Sequence, residues 1–214
     1  MAVPPSDAEN QRNKGFACEL IGWEGFCQLA RKLTRRIRTA GFAPQLIVAI
    51  GRGGLVPARV LADQLNLFDL ATLKIEHYHA MYKEPHARIR YPLMAEVEGR
   101  RVLLVDDVSD TGDSLQVAIE HLRERGRPAQ LRSAVLHHKR VSSFVPDYFA
   151  EEVVDWRWII YPWAVIEDLS GMLQKMEPRP VSAQEFAMRL RSEFALEVSE
   201  QIIDDVLTLA GGRQ

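Results

Sequence analysis

From Trp23 onward apolar residues return every three or four positions, at Phe26, Cys27, Leu29, Ala30, Leu33 and Ile37, while Arg31, Lys32, Arg35, Arg36 and Arg38 fill the other faces. That period predicts an amphipathic helix, closed by Gly41 and Pro44. The register then changes. Residues 46–50 read LIVAI, an unbroken apolar run of the kind that forms a strand buried on both faces of a parallel sheet. Gly51-Arg52-Gly53-Gly54 follows at once, and helical spacing resumes over 55–65, with Pro57 in the first turn, where its missing N–H is tolerated. Further strands are predicted over 70–76, 102–105 and 131–137, with a helix from Ser114 through Leu115, Ala118, Ile119 and Leu122 between the last two. Short apolar runs alternating with helices predict an α/β fold, an open parallel sheet flanked by helices.

Two stretches do not fit this alternation. Residues 78–99 carry His79, Tyr82, Lys83, Glu84, Pro85, His86, Arg88, Arg90 and Pro92 with little periodicity. A loop this long is uncommon in a compact domain, and its aromatic and basic content reads as a lid. His77, His79 and His86 lack the carboxylate or cysteine that would complete a zinc pattern, so no metal is assigned to them. Beyond Leu169, Pro178 and Pro180 mark a linker, and Ser182 with Glu185 forms a capping box. Phe186, Leu190 and Phe194, then Ile202, Ile203, Val206 and Leu207, define two short amphipathic helices ending at Gly211-Gly212. A helix pair can read DNA, but Glu200, Asp204 and Asp205 put negative charge where a recognition helix needs positive. The extension, 170–214, is therefore expected to pack on the core or on a neighbouring subunit. Residues 1–15 are polar and proline-bearing and are expected to be loose, with order beginning near Phe16.

Composition narrows the function classes. At 214 residues, 47% hydrophobic and 26% charged, the chain has the makings of one globular domain with an appendage. No apolar run approaches the roughly 20 residues that span a bilayer, the N-terminal stretch has no signal-like apolar region, and Cys18 and Cys27 suggest no metal or disulfide framework. Cytoplasm is the expected compartment, with no membrane partner. Lys+Arg 27 against Asp+Glu 29 leaves a formal charge of -2, which supplies no general pull toward nucleic acid. An anionic ligand must then be held by local geometry.

Two segments offer such geometry. Strand, glycine loop and helix over 46–65 is an anion-binding arrangement: Gly51, Gly53 and Gly54 let backbone N–H groups approach phosphate oxygens, and Arg52 can add a cation. A tight strand-to-helix turn with no ligand accounts for the same glycines. The second segment, RVLLVDDVSDTGDS over 101–114, runs a buried strand straight into Asp106 and Asp107 at the sheet edge where α/β proteins bind ligands. Paired carboxylates can accept hydrogen bonds from sugar hydroxyls or coordinate a hard divalent cation. The following turn, Asp110-Thr111-Gly112-Asp113-Ser114, offers backbone N–H groups, two hydroxyls and a helix N-terminus to a phosphate. An Asp-rich turn capped by Ser114 explains Ser114 but not an acidic pair ending an apolar strand.

VLLVDDVSDTGDS resembles the phosphoribosyl pyrophosphate motif of the type I phosphoribosyltransferases, and AIGRGGLVPARVLADQL resembles the pyrophosphate loop and helix of their xanthine/guanine branch. The likeness covers about 23–169 and implies a type I phosphoribosyltransferase fold over 16–169, with a lid at 78–99, a small hood at 139–169 and the helical tail beyond. It implies that Gly51, Arg52, Gly53 and Gly54 hold pyrophosphate, that Asp106 and Asp107 hold the ribose hydroxyls and Mg2+, and that Thr111, Gly112, Asp113 and Ser114 hold the donor's 5-phosphate. Asp before Thr-Gly is similar to the 6-oxopurine enzymes, so Asp110 would face N7 of the base as proton acceptor. Lys139 would contact the purine O6, Trp158 would stack on the base, and Ile159 would offer backbone contacts. Trp156, Trp158 and Trp163 as core fillers is the competing reading. The implied activity is transfer of phosphoribosyl from phosphoribosyl pyrophosphate to a 6-oxopurine, with Mg2+, in a homo-oligomer, dimer or tetramer. Ala164 departs from the acidic residue those enzymes carry after Pro-Trp. The alternatives are a non-catalytic sensor of the donor, or a transferase for another base.

Overall fold

The computed structural model of the chain describes residues 16–78 and 86–211. Along the chain these form β1 (Cys18–Leu20), α1 (Trp23–Thr39), β2 (Leu46–Gly51), α2 (Leu55–Gln64), β3 (Leu70–Tyr78), β4 (His86–Tyr91) and β5 (Arg101–Ser109). Then follow α3 (Asp113–Arg125), β6 (Gln130–Lys139), β7 (Tyr148–Val153), β8 (Trp158–Ile160), α4 (Val165–Lys175), α5 (Ala183–Phe194) and α6 (Glu200–Gly211). The chain divides into two compact units, one of residues 27–156 and one of the residues up to Phe26 with those from Arg157 onward.

The first unit holds a six-stranded sheet in the order β4-β3-β2-β5-β6-β7. All neighbours are parallel except β3 and β4, which are antiparallel. The central strands are unbroken apolar runs because both faces are covered: Leu46, Ile47, Val48 and Ala49 of β2 and the four residues 102–105 of β5 are all 0% exposed. Each fully buried Val, Leu or Ile contributes about 1.5–3 kcal/mol. Basic residues on the outer face of α1 meet local partners: Lys32 pairs with Glu151 at 3.0 Å, and Arg36 donates to the Phe149 carbonyl.

The segment expected to be one long loop is partly strand. Residues 86–91 pair along β3, with Ile75 opposite Ile89. Ala87 and Ile89 pack against the core while Arg88 and Arg90 are exposed, an alternation only a few residues long that the surrounding basic and aromatic residues hide. The rest of the expected lid, 79–85, lies outside the described residues, as do the expected loose residues 1–15. β5 also runs further than its apolar run suggests. β2 pairs with it only as far as Val105, but β6 continues alongside to Ser109.

In the second unit β1 and β8 form a parallel pair, Cys18 opposite Trp158 and Leu20 opposite Ile160. Ile160, Leu169, Met172, Leu173, Phe186, Leu190, Ile203 and Val206 share one buried cluster, which puts the C-terminal helices and the segment around β8 and α4 in one core. Ser182 caps α5 by accepting from the Glu185 N–H at 3.1 Å, and the Glu185 carboxylate accepts in return from Val181, one residue before the cap. α5 ends at Ala195, which is left-handed at φ 56. No helix among the described residues is long and apolar enough to cross a membrane.

Candidate active site

The carboxyl ends of β2, β5, β6 and β7 lie on one edge of the parallel sheet, and the residues singled out from the sequence in this unit fall along it. At the end of β2 the glycine loop is required sterically. A Cβ on Gly54 would stand 2.3 Å from the Val105 carbonyl oxygen, and one on Gly53 would stand 2.5 Å from both carboxylate oxygens of Asp107. At Gly54 the loop thus packs its backbone directly on that of β5, and only glycine permits the approach; at Gly53 the neighbour is a side chain. The Gly51–Arg52 peptide is cis, and the Arg52 side chain is exposed at the loop's tip.

Asp106 and Asp107 both meet this loop. Asp106 is 8% exposed, accepts from the Asp107 N–H at 3.0 Å and has the Gly54 N–H, which donates to the Ile50 carbonyl at 2.9 Å, as a second backbone donor nearby. Burial, and next the charge of Asp107, push its carboxyl well above the ordinary carboxylate range, against the two backbone donors. Asp107 accepts from the Val108 N–H at 2.7 Å. Two hard carboxylate oxygen donors beside a backbone-lined loop fit a magnesium ion that keeps water and substrate oxygens as its remaining ligands. Among the described residues no group of three or more His, Cys, Asp or Glu that could hold a metal occurs.

Beyond β5 the turn over 110–114 leads into α3. Gly112, at φ 97, is the residue before the first helical turn, so the helix starts one residue earlier than expected, and the Asp113 N–H donates to Thr111 Oγ1 at 3.4 Å. A Cβ on Gly112 would stand 2.6 Å from that of Phe144. Ser143 donates to the Thr111 carbonyl through both its N–H, at 2.9 Å, and its hydroxyl, at 2.8 Å. Ser109 and Ser142 share a hydroxyl contact of 2.8 Å. The loop after β6 therefore holds the 111–114 turn in place, a support that the sequence did not reveal because its partners lie some thirty residues apart.

Asp110 and Lys139 come together. Lys139, the last residue of β6, is 2% exposed, and its Nζ lies 3.1 Å from Asp110 Oδ1. A buried ammonium needs such a partner, since desolvation of an unpaired charge is costly. The third member is Trp156, three residues past β7. Its Nε1–H donates to the same Oδ1 at 3.2 Å, and Lys139 Nζ lies 4.4 Å from its ring centroid, within cation–π range. Both contacts of the Asp110 carboxylate among the described residues use Oδ1. Trp158 and Ile159 belong to β8 in the second unit, where Trp158 Nε1 donates to Asp168 at 3.1 Å, its ring meets Phe16 edge-on, and Ile159 is buried. Trp163 stacks on Tyr161 at 4.9 Å between centroids. Of the three clustered tryptophans, Trp156 is the one that shares a unit with Asp110 and Lys139.

Residues 21–166 match the phosphoribosyl transferase domain family. A xanthine-guanine phosphoribosyltransferase of Nitratidesulfovibrio vulgaris is 31% identical over 143 residues, 67% of this chain and 82% of that enzyme. Among solved structures, a purine phosphoribosyltransferase of Pyrococcus horikoshii superposes with a TM-score of 0.61 at 30% identity, covering 68% of this chain and 93% of that one. A Neisseria gonorrhoeae protein solved with bound ppGpp superposes with a TM-score of 0.59 at 25% identity, covering 69% and 89%.

Proposed function

This chain belongs to the phosphoribosyl transferase family, and we propose that it transfers 5-phosphoribosyl from phosphoribosyl pyrophosphate to a 6-oxopurine base, releasing pyrophosphate. The observation that carries the choice of base is the Asp110–Lys139 pair. On one edge of a 6-oxopurine, N7–H is a donor and the neighbouring O6 an acceptor. A carboxylate beside an ammonium presents the complementary acceptor and donor. Adenine places an amino donor where O6 would be, and so sets donor against donor.

In the reaction the base nitrogen forms its bond to C1′ of the ribose as the bond from C1′ to the pyrophosphate oxygen breaks. The proton on N7 passes to Asp110, whose charge also favours the oxocarbenium-like ribosyl centre. Gly51, Gly53, Gly54 and Arg52 would hold the leaving pyrophosphate, and Thr111, Gly112, Asp113 and Ser114 the 5-phosphate at the start of α3. Asp106 and Asp107 would bind the ribose hydroxyls, and with donor oxygens would hold Mg2+, which neutralises charge on the leaving group when bound. Donor hydroxyls or a cation at Asp106 would offset the desolvation that raises its carboxyl.

The support is the family, the relatives' names and this placement of donors and acceptors. We place the enzyme in the cytoplasm, and as a homo-oligomer: Phe68, 95% exposed, and Leu55, 40% exposed, offer apolar surface for a second copy. The test is pyrophosphate release with Mg2+ and the donor, offering hypoxanthine, guanine, xanthine, adenine, orotate and uracil separately. Turnover confined to oxopurines supports the reading; turnover with adenine or a pyrimidine alone overturns it. The ppGpp held by the gonococcal protein favours a second reading of the same site, as one inhibited by a phosphorylated guanosine. Inhibition by ppGpp competitive with the donor would establish it.

A further inference from the structure

Trp156 has no task in the reaction as described, yet it touches both residues that read the base. Its ring has the Lys139 ammonium over it at 4.4 Å, so that face is no platform for a purine. Its N–H shares Asp110 Oδ1 with the ammonium, at 3.2 and 3.1 Å respectively. The three side chains come from the ends of three adjacent strands, β5, β6 and β7.

A lysine ammonium is a compact point charge, and its single contact leaves the carboxylate able to turn. Two donors converging on one oxygen instead fix the carboxylate's rotation and leave Oδ2 for a ligand. The ring face holds the ammonium aside in the same geometry. We propose that Trp156 is a positioning residue for phosphoribosyl transfer, acting through Asp110: it locks the carboxylate so that Oδ2 meets the base N–H, and keeps Lys139 available to the oxo group. This rests on the 6-oxopurine reading above.

The experiment compares the full-length wild type, Trp156→Phe, Asp110→Asn and the double variant, with guanine and the donor as substrates. Trp156 is 42% exposed, so the Phe variant is expected to fold, and circular dichroism checks it. Trp156→Phe lowers kcat about tenfold, leaves the KM for the donor within about twofold, and has under about twofold effect once Asp110 is Asn. A kcat within about twofold of wild type, or the same loss in both backgrounds, overturns the proposal. The Trp156 indole N–H is also followed by NMR, its exchange protection falling in Asp110→Ala. That protection with no turnover from any base would remove the 6-oxopurine reading and leave the positioning contact standing; turnover with an indifferent Trp156 would do the reverse.

Discussion

Lys139 Nζ lies 3.1 Å from Asp110 Oδ1, joining a buried ammonium at the end of β6 to a carboxylate just past the end of β5. Neither residue is explained well alone. A lysine 2% exposed is unfavourable without a counter-charge, and Asp110 gains orientation from the same contact. As a pair they form the acceptor and donor that a 6-oxopurine edge requires.

Replacing Asp110 by Asn keeps the shape and removes the proton acceptor. Turnover with guanine should fall by about 10²–10⁴. Donor affinity, measured by calorimetry, should change little, because the glycine loop, Asp106 and Asp107 are untouched. Turnover near the wild-type level would remove Asp110 from the proton transfer.

The two glycines that press on β5 should fail differently. In Gly54→Ala the new methyl meets the Val105 carbonyl at 2.3 Å, and backbone must move, so the melting temperature should drop, with a loss of about 1–3 kcal/mol. In Gly53→Ala it meets the Asp107 carboxylate, which can rotate away. That variant should fold near normally and bind the donor poorly. Equal melting temperatures for the two would contradict this distinction.

The second unit carries a pH-dependent cost. Burial pushes the Asp168 carboxyl up to about 6, with the Trp158 N–H opposing and Glu167 adding to the rise. The folded state therefore binds a proton more readily than the unfolded chain. The associated stabilisation is complete below the ordinary value of 3.8 and is lost as pH rises through about 6. Asp168→Asn keeps an acceptor for Trp158 and removes the titration. Because the group is partly exposed, the gain above pH 6 should be about 1 kcal/mol, or roughly 2–4 °C in Tm, fading toward pH 4. A Tm difference independent of pH would refute the assignment.

Ala195 closes α5 in the left-handed region at φ 56, where glycine is unstrained. Ala195→Gly should stabilise the chain by about 0.5–1 kcal/mol, the gain being reduced by the greater freedom of glycine when unfolded. Thermal denaturation decides it; a lower Tm would show that relief of the left-handed turn is outweighed by that freedom.

What the sequence disclosed were features written in contiguous residues. LIVAI and VLLV announced buried parallel strands because both faces need apolar side chains, and the acidic pair and glycine loop could be placed at the sheet edge from those strands alone. Features decided by distant residues stayed hidden. Nothing in DWRW tells which tryptophan reaches Asp110, since the contact closes over 46 positions. The same is true of the 142–144 loop that holds Thr111, and of β1 and β8, which join residue 18 to residue 158. The short alternation in β4 was masked by the arginines that flank its apolar residues.

Hypoxanthine and adenine differ at the position that Lys139 is held to read, so comparing them asks whether this lysine chooses the base. The measurement is kcat/KM for each base at saturating donor, in the wild type and in Lys139→Met. The wild type should favour hypoxanthine by at least about 10³-fold, and Lys139→Met should lose most of that preference. A wild type that uses both bases alike, or a Met variant that keeps the full preference, would show that the Asp110–Lys139 pair does not select the base.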